Sequence, residues 1–92
     1  MFVAPEDYAD AGLKLDERLI RRPAATFFMT AEEDAPEAGV RRGDILVVDR
    51  AEPPTAGRTI VAAQDGALRV TSMPRSGSVE VWGVVLWLVR AP

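Results

Sequence analysis

Apolar residues in this chain fall in short runs broken by proline, glycine and charge, a pattern of strands rather than of long helices. Helical character is confined to residues 13–20, Leu-Lys-Leu-Asp-Glu-Arg-Leu-Ile, where Asp16 can cap one or two turns and Pro23 closes the helix. Residues 24–31, Ala-Ala-Thr-Phe-Phe-Met-Thr-Ala, are aromatic and β-branched and too short for a stable helix, so a strand is predicted. The apolar run Ile45-Leu46-Val47-Val48 follows a Gly43-Asp44 turn and predicts a strand buried on both faces. Thr59-Ile60-Val61-Ala62-Ala63 and Ala67-Leu68-Arg69-Val70-Thr71 flank Asp65-Gly66, a dipeptide that predicts a hairpin because both residues tolerate positive φ. Residues 32–43 carry Pro36, Gly39 and mixed charge with the period of neither element, and read as a long loop of the kind that carries functional sites.

The last element, residues 79–90, is apolar on both sides. Strand alternation puts Trp82, Val84, Leu86 and Leu88 on one face and Val81, Gly83, Val85, Trp87 and Val89 on the other. One face can close the chain's own core, and the other then needs a second layer or a second chain. Two readings stay open: a strand sandwiched within the monomer, or a subunit interface with Val81, Val85, Trp87 and Val89 as candidate dimer contacts. Residues 1–12, with Pro5, three acids and only Phe2, Val3 and Tyr8 as sizeable apolar groups, read as a flexible N-terminal arm leading into one domain over 13–92.

Composition narrows the chemistry. The 92 residues include no histidine, no cysteine and a single lysine, Lys14, which excludes imidazole bases, thiolate nucleophiles, disulfides and zinc fingers. Eleven basic residues against 14 acidic ones leave a net charge of −3, which offers no field for direct binding of duplex DNA. The arginine pairs Arg21-Arg22 and Arg41-Arg42 are too short to reverse that, and remain candidates for a partner surface. The longest apolar run, 81–89, is about half the length a helical membrane span requires. Acidic residues occupy the start where a signal peptide would be apolar, so a cytoplasmic location is expected. Glu32, Glu33, Asp34 and Glu37 crowd one loop without the alternating spacing of a calcium site, so a solvated loop is the expectation, with no metal and no cofactor.

Five segments in order carry a resemblance. Pro23-Ala24-Ala25-Thr26-Phe27-Phe28, Gly43-Asp44-Ile45-Leu46-Val47-Val48-Asp49, Ile60-Val61-Ala62-Ala63, Asp65-Gly66 and Val81-Trp82-Gly83-Val84-Val85 together closely resemble the LexA/UmuD family of self-cleaving serine peptidases, and UmuD-like members in particular. The likeness runs from about Phe2 to Val89. It implies a mainly β fold, a single C-terminal-type domain of strongly bent antiparallel strands, joined here by the one short N-terminal helix. It also implies a cleft where active members hold a serine and a lysine. Carried over residue by residue, the serine tetrapeptide falls on Glu33-Asp34-Ala35-Pro36 and the Val-Lys pair on Val70-Thr71. Ala35 then stands at the nucleophile position and Thr71 at the base position.

Alanine has no attacking atom, and a threonine hydroxyl is far too weak a base to replace an amine. Pro36 removes a backbone N–H as well, and the loop is one residue shorter than the family spacing. Phe2-Val3-Ala4-Pro5 and Tyr8 match the segment that follows the family's self-cleavage bond, so the chain resembles the processed form. The resemblance implies a catalytically inactive accessory protein of the bacterial SOS DNA-damage response. It would form a homodimer, or a heterodimer with a UmuD-like chain, and bind a UmuC-like translesion polymerase and RecA. Two alternatives stay open: a serine peptidase that processes itself with a relocated group such as Ser72, and a decoy that dimerises with a LexA- or UmuD-type protein.

Overall fold

A computed structural model of the chain describes residues 20–92. Five strands, β1 (Thr26–Thr30), β2 (Ile45–Asp49), β3 (Thr59–Gln64), β4 (Ala67–Ser72) and β5 (Glu80–Val89), form one sheet in the order β1-β2-β5-β3-β4, with every neighbouring pair antiparallel. The mainly β architecture expected from the sequence is present. The expected helix lies almost wholly outside the described residues, as does the arm over 1–12. Among the described residues the only helical segments are two 3₁₀ turns, Pro23–Ala25 and Pro36–Ala38, each opened by a proline whose missing N–H costs nothing at that position.

The hairpin between β3 and β4 turns on Asp65 (φ 51°) and Gly66 (φ 78°), both left-handed, which matches the right-handed twist of the two strands. In β2 the residues Leu46, Val47, Val48 and Asp49 are all buried although successive side chains point to opposite faces, so both faces of this strand are covered. Ile45, at the strand's start, is exposed.

The simple alternation expected for residues 79–90 is corrected. β5 carries two register shifts, one opposite Val47/Val48 that leaves Leu86 as an extra residue, and one opposite Val61/Ala62 that leaves Trp82 extra. Each bulge slips the face pattern by one residue and bends the strand. The inner cluster therefore gathers Leu46, Val48, Val61 and Val85 with Trp82 and Leu88 packed against it, while Val84, Ile60 and Ala62 form an outer cluster with Val81 and Leu86. Trp82 and Val84, expected on one face, separate.

Gly83 belongs to the same strand for a steric reason. A Cβ there would stand 2.5 Å from Cγ1 of fully buried Val48, so only glycine lets β5 lie this close to the side chains of β2.

Candidate functional site

The connection between β1 and β2 builds the site. Ala31 N–H donates to the Asp44 carbonyl (2.9 Å) and Gly43 N–H to the Ala31 carbonyl (2.8 Å), which closes the loop at its base. Further out, Ala35 and Val40 exchange both backbone hydrogen bonds, at 2.9 and 3.1 Å, around the turn Pro36–Ala38. Gly39 ends that turn at φ 72°, a conformation that favours glycine. The segment expected as an irregular loop is thus internally paired, and it buries Ala31, Ala35 and Val40 against the inner face of the sheet.

Arg90 fastens this loop to the end of β5. Its guanidinium donates through Nε to Asp44 Oδ1 (2.9 Å), through Nη2 to Asp44 Oδ2 (2.6 Å), and also to the Gly39 carbonyl (2.9 Å). Asp44 is buried and accepts the Arg41 N–H as well (2.8 Å). The hydrogen bond from Arg90, then that from Arg41, hold its carboxyl below the usual carboxylate range.

Asp49 plays the matching part at the other end of β2. Burial alone would raise its pKa, but the Ala51 N–H (2.8 Å) and the Arg22 guanidinium (2.7 Å) together hold it below the ordinary value. Arg22 also pairs with Glu52 at 3.0 Å, so this arginine of the Arg21-Arg22 pair is committed within the chain. Asp44 and Asp49 flank β2, and each also accepts a turn N–H from a near neighbour. Their arginine partners, 46 and 27 residues away, were not legible in the sequence, because no local spacing announces them.

Two clefts border the loop. The first, about 500 Å³, lies over the inner face and is lined by Ala35, the acidic residues Glu32, Glu33, Asp34 and Glu37, and residues 67–70 of β4. The second, about 470 Å³, is lined by Thr71, Ser72 and Ser78, and shares Glu37, Arg69 and Val70 with the first. Ala35 and Thr71 therefore line adjoining clefts and not a common one. Thr71 is paired in register with Ile60 of the outer cluster, whereas Ser72 reaches the loop, its Oγ donating to the Glu37 carbonyl at 3.1 Å. Among the described residues there is no lysine, and the chain has no histidine.

Of the residues singled out on β5, Val85 is taken up by the chain's own inner core and Val81 packs on the outer cluster. The slipped register turns Val85 inward, so its side chain is not available on the surface. Trp87 and Val89 remain 44% and 45% exposed, beside Ile45 at 43% and Phe28 at 62%. Phe28 pairs in register with Val47, Val47 with Trp87, and Ile45 with Val89, so the four exposed groups form one strip across β1, β2 and β5.

A mainly antiparallel sheet whose β1–β2 connection folds back to wall a cleft meets the expectation for the LexA/UmuD class. The chain belongs to the Peptidase S24-like family, whose sequence model matches residues 2–82, and within it is a UmuD-like member. It is 51% identical over 65 residues to Protein ImpA of Salmonella typhimurium and, equally, of Escherichia coli. It is 46% identical over 65 residues to Protein SamA of Salmonella typhimurium strain LT2. Each match covers 70% of this chain but only 45 or 46% of the relative, so the chain spans less than half the length of the curated relatives it matches. Among the described residues, no helix is long and apolar enough to cross a membrane.

Proposed function

We propose that this chain is a catalytically inactive UmuD-like accessory protein of the bacterial SOS DNA-damage response. It acts in the cytoplasm by dimerising and by binding a UmuC-like translesion polymerase, together with RecA. The observation that carries the reading is the pair of residues at the family's dyad positions, Ala35 and Thr71. A dyad needs a nucleophile and a base within hydrogen-bond reach of one another. Here neither group has the required chemistry.

Ser72 does not replace them in this reading. Its hydroxyl donates to the Glu37 carbonyl, and among the described residues no amine or imidazole stands by to activate it. The dimer half of the proposal draws on the strip of Phe28, Ile45, Trp87 and Val89, whose apolar side chains face outward. Two measurements test the proposal. The chain should neither process itself nor react with a serine-directed phosphonate, and it should co-purify with a UmuC-like polymerase when the two are co-expressed. Phosphonate labelling at Ser72 would overturn the inactive reading, and loss of the polymerase on washing would overturn the accessory role.

A further inference from the structure

The sheet has two edges, and they are built differently. β4, at one end, carries the exposed Arg69 in mid-strand, the kind of charge that keeps an edge from pairing. β1, at the other, reads Thr-Phe-Phe-Met-Thr with no charge, proline or glycine, and pairs only with β2 among the described residues. Both of its phenylalanines are exposed, Phe28 at 62%.

The outer side of β1 follows from its ladder. Arg50 N–H donates to the Ala25 carbonyl and Ala31 N–H to the Asp44 carbonyl, each at 2.9 Å. Bonded residues alternate along an antiparallel strand, so Phe27 and Met29 bond β2 through their backbone while the groups of Thr26, Phe28 and Thr30 turn outward. The Thr26 N–H bonds back to the Pro23 carbonyl, which leaves the Thr26 carbonyl and both backbone groups of Phe28 and Thr30 for a further strand.

The strand is also its own complement. Laid antiparallel on a second copy about Phe28, it sets Phe28 opposite Phe28, Phe27 opposite Met29 and Thr26 opposite Thr30, so apolar groups meet apolar groups and hydroxyls meet hydroxyls. The outward backbone groups fall into register at the same time. The two Phe28 residues exchange N–H to carbonyl bonds, and each Thr30 N–H reaches the Thr26 carbonyl of the other copy. Beyond the strand ends, the same register brings Glu32, Glu33 and Asp34 of each copy toward the segment of the other that begins with Arg21, whose side chain is 60% exposed.

We infer that β1 is a homotypic pairing edge, through which two copies of this chain join their sheets about Phe28. The inference rests on the reading that the chain dimerises, and it assigns the seam. The chain has no cysteine, so single introduced cysteines report that seam cleanly. Phe28→Cys places two thiols on residues whose Cα atoms stand about 5.5 Å apart, within reach of a disulfide. Thr26→Cys sets them about 14 Å apart along the strands, and Val89→Cys about 24 Å apart across the intervening β2 and β1 strands of both copies. Mild oxidation of the full chain should therefore link the Phe28→Cys variant into a dimer and leave the other two unlinked. In sedimentation over a dilution series, Phe28→Lys should weaken the native dimer roughly tenfold, since it sets two like charges directly opposite one another. Arg21→Glu should weaken it about two- to fivefold, an effect that added salt diminishes.

Linkage through Val89→Cys but not through Phe28→Cys would overturn the edge and leave the dimer reading standing on the outer strip. Thr26→Cys linking as fast as Phe28→Cys would overturn the register, and the seam with it. A native chain that sediments as a monomer throughout, with no variant linked, would overturn both the edge and the dimer reading.

Discussion

The two faces of the sheet are closed by different means. On the inner face the β1–β2 connection lays Ala31, Ala35 and Val40 over Leu46, Val48, Val61 and Val85, so the chain covers the centre of this face itself. Only Phe27, beside Trp82, stays 43% exposed there among the large apolar residues of β1, β2 and β5. On the outer face Met73 and Val79 cover the β3 side of the sheet, but nothing among the described residues lies over Phe28, Ile45, Trp87 and Val89. Val47 is nevertheless only 1% exposed, flanked in register by the rings of Phe28 and Trp87. The inner face has the economy of a finished core, whereas the outer face protects its aliphatic centre with large side chains that themselves stay exposed. That difference separates residues that hold the fold from residues free to hold a partner.

The sharpest test of the contrast is to hollow the inner face. Leu46→Ala removes a side chain that is fully enclosed, and should destabilise the chain by about 2–5 kcal/mol in urea unfolding. A loss under about 1 kcal/mol would mean that the loop does not seal this face. Overfilling the same layer comes next. Gly83→Ala sets a methyl against the buried Val48 side chain, and should cost about 1–3 kcal/mol unless β5 shifts away from β2. An unchanged midpoint would show that the bulged strand can move.

These substitutions also bear on how far the sequence could be read. The Asp65-Gly66 hairpin and the buried β2 run were legible because their signals are local: two residues able to take positive φ, and four apolar residues in a row. The faces of β5 were not. Its residues are apolar almost throughout, so hydrophobic alternation carries no phase information, and the bulges at Leu86 and Trp82 are set by its partners β2 and β3. The positions of Ala35 and Thr71 came from resemblance, and the adjoining clefts that they line are set by the tertiary structure. The Arg90–Asp44 clamp joins residues that only the sheet order brings together, although a buried aspartate before a strand could have prompted a search for its cation.

Acid should loosen the loop that seals the inner face. The carboxyls of Asp44 and Asp49 titrate below their unfolded value, which is about 3.9 for an aspartate. Below that value the unfolded chain binds more protons than the folded one. Their contribution to stability is thus complete above about pH 5 and is lost as pH falls past the unfolded value and through the lowered folded values. The urea midpoint should stay level from neutrality down to roughly pH 5 and then decline. Asp44→Asn should lower the midpoint at neutral pH and make the acid decline shallower, since one of the two carboxylates no longer titrates. A decline of unchanged steepness would remove Asp44 from this account.

The smallest effect on stability is expected on the outer strip, where a change in assembly should take its place. Val89 is exposed at the end of β5 and pairs with the exposed Ile45, so Val89→Lys should alter unfolding by no more than about 0.5 kcal/mol. If the strip is a dimer surface, burying that lysine against a second apolar strip without a counter-charge would be strongly unfavourable. Gel filtration at micromolar concentration should then move from a dimer for the native chain to a monomer for the variant. Trp87 fluorescence, blue-shifted in a dimer by loss of water, should move to the red in the same variant. A native chain that already runs as a monomer, with Trp87 fluorescing as if fully hydrated, would take the dimer out of the proposal. The contrast between the two faces would stand without it.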